Sequence, residues 1–143
     1  VMSAGRPTWS SADTQIALQQ DLRRAADEII GDLRKSSSTQ VSCPADGSVC
    51  ASVLFNVSQG ALSSGAVNWT NSSGSINYSL SGNQIIRSQG GAWRVAANNI
   101  TSLGFVRLAA TPRILTVTMT AQRSNQFGRT HSASLNASAF LRN

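Results

Sequence analysis

Acidic residues run out early in this 143-residue chain: from residue 47 to the end there is no Asp and no Glu. Histidine occurs once, at His131, and cysteine twice, at Cys43 and Cys50. Each scarcity excludes a class of chemistry. A nucleophilic triad needs a carboxylate beside its histidine, and outside residues 13–38 the only acid is Asp46. Glycoside hydrolysis needs two acids facing across a cleft, whereas here the candidates share one predicted helix or one loop. Calcium sites gather several acids in one loop, and Asp46 stands alone. Two cysteines and a histidine distant in sequence do not make four zinc ligands. The glycines of "SQGGAW" lack the following helix of a phosphate loop. No enzymatic reaction, metal or cofactor is expected, and His131 reads as a solvent-facing strand residue. Long apolar runs are absent too, so neither a transmembrane segment nor a signal peptide is read. The opening "VMSAGRPTWSS" is expected to be an irregular lead-in, in a chain that starts downstream of such a segment.

What is present is divided in two. Residues 13–38 carry five of the six acids. There Ile16, Leu18, Leu22, Ala25, Ala26, Ile29, Ile30 and Leu33 recur at steps of three and four, which predicts one amphipathic helix over 13–36. Its core face is Leu18, Leu22, Ala25, Ile29 and Leu33. Ser10, Ser11 and Asp13 are candidate caps, and Arg34 and Lys35 suit the carbonyl end. The acids fall on the other faces and are expected to be solvated.

Beyond the helix the period becomes two. "SCPADGSVC" bends through Pro44 and Gly47, and Cys43 with Cys50 fits a small disulfide-closed loop (37–51) of an oxidising compartment. Residues 52–143 read as strands. "SVLFNV" is one, Ala66–Thr70 a short second, and "SINYSLSGNQIIRS" a hairpin about Ser81-Gly82-Asn83. Strands are also expected near Leu103–Leu108, over "RILTVTMTAQ" (113–122), and in the small-residue run "THSASLNASAFLRN" at an edge or under close packing. The expected architecture is a single α+β domain, with one N-terminal helix on an antiparallel sheet. The six Asn-x-Ser/Thr sites, at Asn56, Asn68, Asn71, Asn77, Asn99 and Asn136, follow from a composition rich in Ser, Thr and Asn.

The formal charge of +6 sits in an acid-free body with seven arginines. Two readings stand. Scattered arginines keep a β-domain soluble; or Arg87, Arg94, Arg107 and Arg123 grip DNA or another polyanion. Trp69, Tyr78, Trp93, Phe105 and Phe127 could stack on bases between them. Against that, "AWRVA" and "GFVRL" alternate as strands do, which puts Trp93 and Phe105 in the core.

Three stretches carry a family resemblance: "ALQQDLRRAADEIIGDLRKSS", "INYSLSGNQIIRSQGG" with the spacing I-x-Y-x-L-x-G-x-x-I-x-R, and "NITSLGFVRL…ILTVTMTAQ…SASLNASAFLRN". In this order they resemble the soluble domains of type IV pilin-like proteins, above all minor pilins and type II secretion pseudopilins. The resemblance implies a pilin-like α+β fold and a non-enzymatic role in assembling, priming or capping a filament. It implies other pilin or pseudopilin subunits as partners. It also implies an anchor in the inner membrane of a bacterial cell envelope through an upstream apolar helix, starting with Phe and carrying Glu at its fifth position, which is not among these residues. The early cysteine loop points to a minor or divergent member. Competence-type DNA uptake is the alternative setting.

Overall fold

The structure is a computed structural model in which residues 2–69, 74–124 and 127–142 are described, 2–13 as backbone only. Helix α1 runs Met2–Leu33. The lead-in is therefore helical from Met2, and Asp13 lies inside the helix rather than at its cap. The side chains of Ser10, Ser11 and Asp13 lie outside the described residues. At the other end Lys35 N–H and Ser36 N–H donate three residues back, to Asp32 and Leu33, so the last turn tightens and closes the helix at Leu33 instead of residue 36. Among the described residues no helix is long and apolar enough to cross a membrane.

Among the described residues ten strands follow: β1 (Val49–Cys50), β2 (Val53–Phe55), β3 (Ser58–Ala61), β4 (Val67–Trp69), β5 (Ile76–Ser81), β6 (Gln84–Gln89), β7 (Ala92–Ala97), β8 (Ile100–Arg107), β9 (Ile114–Ser124) and β10 (Thr130–Phe140). Thr70 and Asn71 lie outside the described residues. The strands form three antiparallel sheets in the orders β1-β8-β9-β10, β2-β5-β6-β7 and β3-β4. One helix against ten strands in three sheets is a β-rich fold. The expected α+β, pilin-like fold of one helix on one sheet is thereby corrected. The physical reason is width. A helix about 10–12 Å across covers two or three strands spaced about 4.8 Å apart, so most of the strands must bury their faces elsewhere.

Tight turns make the second sheet a meander. Gly82 has φ +62° with Asn83 after it, the pattern of a II′ turn joining β5 to β6. Gly90 and Gly91 are both left-handed (φ 60° and 86°), as an I′ turn joining β6 to β7 requires. The core lies between α1 and the inner faces of both larger sheets. Leu18, Leu22, Ala25, Ile29 and Leu33 are buried, against Leu115, Val117, Met119 and Ala121 of β9 and Ala139 of β10. Ile16 is 52% exposed: two residues before Leu18 it lies about 160° around the helix, off the stripe.

Candidate functional site

Not all the helix acids are solvated. Asp32 lies three and seven residues beyond Ile29 and Ala25, on the stripe itself, and is only 9% exposed. Its Oδ2 accepts from Arg87 Nε at 2.9 Å and from the Tyr78 hydroxyl at 2.5 Å, while Lys35 Nζ stands 3.9 Å from Oδ1. Arg87 donates on to Gln89 Oε1, and Gln89 to Gly74 O. One turn earlier, Glu28 pairs with Arg94. Sheet register explains the arrangement. Arg87 and Arg94 are direct cross-strand partners on β6 and β7, where like charges repel. Two carboxylates at i and i+4 on the helix above neutralise both. Tyr78 is fully buried, and burial, followed by the Asp32 carboxylate, raises its phenol far above the usual range. At Arg87 burial opposes the charge, but the Asp32 hydrogen bond and charge outweigh it and raise the guanidinium further.

Arg107 is 5% exposed and bonds to carbonyls. Its guanidinium donates to Cys43 O through Nε (3.0 Å) and Nη2, and through Nη1 to Ser38 O (2.7 Å) and Pro112 O (3.1 Å). Burial lowers its pKa from the usual arginine value. Cys43 and Cys50 form a disulfide, and the loop between them is held on β8 by Gly47 N–H to Arg107 O and by the β1 pairing. In that loop Asp46 accepts from the hydroxyl and N–H of Ser48, which hold its carboxyl below the usual range.

Of the four candidate polyanion contacts, then, Arg87 and Arg94 meet, each on a helix carboxylate. Arg107 is buried among carbonyls in the other large sheet. Arg123 is exposed near the end of β9, opposite His131. The four do not make one surface. Trp93, expected in the core, is 69% exposed. Arg94 takes the inward position of β7 to reach Glu28, and strand alternation turns Trp93 and Val95 outward. Phe105 is buried. The expectation that every helix acid faces solvent fails at Asp32; the signal for its burial is its place in the i, i+4, i+7 series from Ala25.

Among the described residues no three His, Cys, Asp or Glu come together as a metal site. A shallow depression of about 360 Å³ beside β2 is lined by Gln40, Val41, Phe55, Asn56, Ser75 and their neighbours, with no titratable side chain among them. It offers no acid or base for proton transfer.

The remaining features are surfaces. On the outer face of the first sheet β9 shows Thr116, Thr118 and Thr120 beside Ser138, Asn136 and Ser134 of β10. Hydroxyls pair across at 3.2 Å (Thr116–Ser138) and 3.3 Å (Thr120–Ser134). On the inner face β10 runs alongside α1: Gln15 Nε2 donates to Ser132 O at 3.2 Å, and Arg142 N–H to Ser36 O at 2.7 Å. No protein-family model matches the chain, and neither a curated protein nor a solved structure does.

Proposed function

We propose that this chain is a non-enzymatic structural subunit, a minor pilin or pseudopilin, that helps assemble, prime or cap a pilus or secretion pseudopilus of a bacterial cell envelope. The observation that carries the reading is how far the helix outruns the sheet. From Gln15 to Leu33 α1 is fastened to β9 and β10. Upstream, Met2 to Thr14 adds thirteen residues of helix, about 20 Å at 1.5 Å per residue. The strand beside it starts at Thr130, two residues before the Gln15 contact. A helix that runs on past the start of the strand beside it suits packing among the helices of neighbouring subunits. The order of the three family-like stretches points the same way, and the disulfide suits an oxidising compartment. The reading rests on the helix and on that order, not on fold class. Polyanion binding is not carried forward, because three of its four arginines have partners inside the molecule.

The test is the N-terminal sequence and intact mass of the mature protein from its native envelope. A methylated Phe, followed by an apolar stretch with Glu at its fifth position, is expected. A mature N-terminus near Val1 with no apolar helix before it would sink the proposal.

A further inference from the structure

Exposed apolar residues gather at one end of the first sheet, and register places them. Val49 on β1 stands beside Val106 on β8, and Ile114 on β9 beside Phe140 on β10. All four are on the outer face, because the residues alternating with them, among them Phe105, Leu115 and Ala139, are buried within. Leu108 follows β8, and a Cβ on Gly47 would lie 3.6 Å from its Cδ2, so it sits against the disulfide loop. Val49, Leu108 and Phe140 are each more than half exposed. Between β8 and β9 the chain makes two tight turns in succession: Thr111 N–H donates to Leu108 O, and Ile114 N–H to Thr111 O, both at 3.1 Å. Every residue from Leu108 to Arg113 is exposed. The turns are nonetheless tied down. Arg107 donates to Pro112 O and to Cys43 O, so one buried guanidinium pins the turns and the disulfide loop together, while Leu141 N–H holds Arg113 O at 2.7 Å. A contiguous set of apolar side chains held outward in this way marks an interaction surface.

Charge decides what such a surface meets. Arg113 lines a depression with Phe140, and Arg142 lies two residues beyond Phe140; both are exposed. Neither belongs to the four candidate polyanion contacts. Asp46, in the disulfide loop, is the only acid after Asp32. A second copy set here about a two-fold axis would bring the arginines of both copies together, and like charges oppose that pairing. An anionic bilayer takes both features, its phosphates meeting the arginines and its acyl region the apolar side chains. The depression between Ala110, Pro112, Ile114 and Phe140 holds about 320 Å³ beside Arg113. That is room for the upper part of an acyl chain with its phosphate at the guanidinium. We propose that this end of the domain docks on an anionic lipid surface, with Leu108 and Phe140 entering the boundary between headgroups and acyl chains and Arg113 and Arg142 on lipid phosphates. The proposal needs only the folded domain and does not rest on the filament reading.

Flotation with vesicles tests it, comparing phosphatidylcholine alone with phosphatidylcholine containing phosphatidylglycerol. Binding is expected to the second and not to the first. Phe140→Ser and Leu108→Ser change exposed side chains and keep the net charge, and each should weaken binding about tenfold. Arg113→Gln should weaken it about fivefold. Trp93→Ser, which removes an exposed aromatic from the other large sheet, should leave it unchanged. On the vesicles the amides of Ala109 and Ala110 should exchange more slowly, and those of Trp93 and Val95 at their former rate. No flotation overturns the proposal and leaves the patch for an acidic protein surface. Binding that survives Phe140→Ser and Leu108→Ser, or that Trp93→Ser removes, overturns it as well, since bulk charge or the other sheet is then responsible.

Discussion

Replacing Tyr78 by Phe isolates one bond of the buried cluster. The ring remains, packed near-parallel to Phe55 with centroids 6.3 Å apart, and only the hydroxyl donated to Asp32 Oδ2 is lost. A hydrogen bond to a charged group contributes about 1.5–3 kcal/mol. Asp32 keeps Arg87, so a loss of about 2 kcal/mol at neutral pH is expected for Tyr78→Phe. Urea unfolding should show it as a lower midpoint at unchanged slope. The pH series is more demanding. The native phenol is pushed up by burial and by Asp32, so the fold favours its protonated form. That stabilisation is whole below the unfolded value of about 10. Above it, the unfolded chain releases a proton that the native state keeps, and stability falls by about 1.4 kcal/mol per pH unit. The Tyr78→Phe variant has no phenol proton to release, so a gap of about 2 kcal/mol between the two proteins should close by about pH 11.5. Because Tyr78 is the only tyrosine, phenolate absorbance reads this group alone. A native phenol titrating near its ordinary value, or a gap unchanged up to about pH 11, would refute the reasoning.

Two further outcomes are expected. Arg107→Met keeps the stem but leaves the carbonyls of Ser38, Cys43 and Pro112 without their donor, which should cost about 3–4 kcal/mol; thermal unfolding checks it, and an unchanged midpoint would contradict the three-carbonyl account. Replacing both Cys43 and Cys50 by Ser opens an eight-residue loop and should cost about 2.5 kcal/mol by loop entropy, with the fold kept because Arg107 still holds the carbonyl of residue 43. Reductant should then lower the wild-type melting temperature and leave the double variant unchanged.

Local pattern made much of this legible. The alternation in "ILTVTMTA" sets Leu115, Val117, Met119 and Ala121 inward on β9. Ser81-Gly82-Asn83 marks the β5–β6 turn, and the helix stripe gives the buried face. What was not legible depends on partners far along the chain. Asp32 is acidic on an apolar stripe, and its reason, Arg87, lies 55 residues away. Trp93 is turned out by a neighbour's bond to the helix, which alternation alone does not reveal. The split into three sheets follows from long-range pairings such as β1 with β8 and β2 with β5. The candidate arginines read alike in sequence; only register separates Arg107, sunk among carbonyls, from exposed Arg123.

The spacing of Glu28 and Asp32 also bears on how such a chain can change length. One residue inserted between them would rotate everything beyond by about 100°, and the two carboxylates could no longer reach Arg87 and Arg94 together. Insertions upstream of Gln15 leave the Glu28–Asp32 spacing as it is. They lengthen the rod by about 1.5 Å each and leave the domain seated. Helix α1 thus joins a segment of fixed register to one of adjustable reach, so descendants of this chain can differ in reach while sharing one seat.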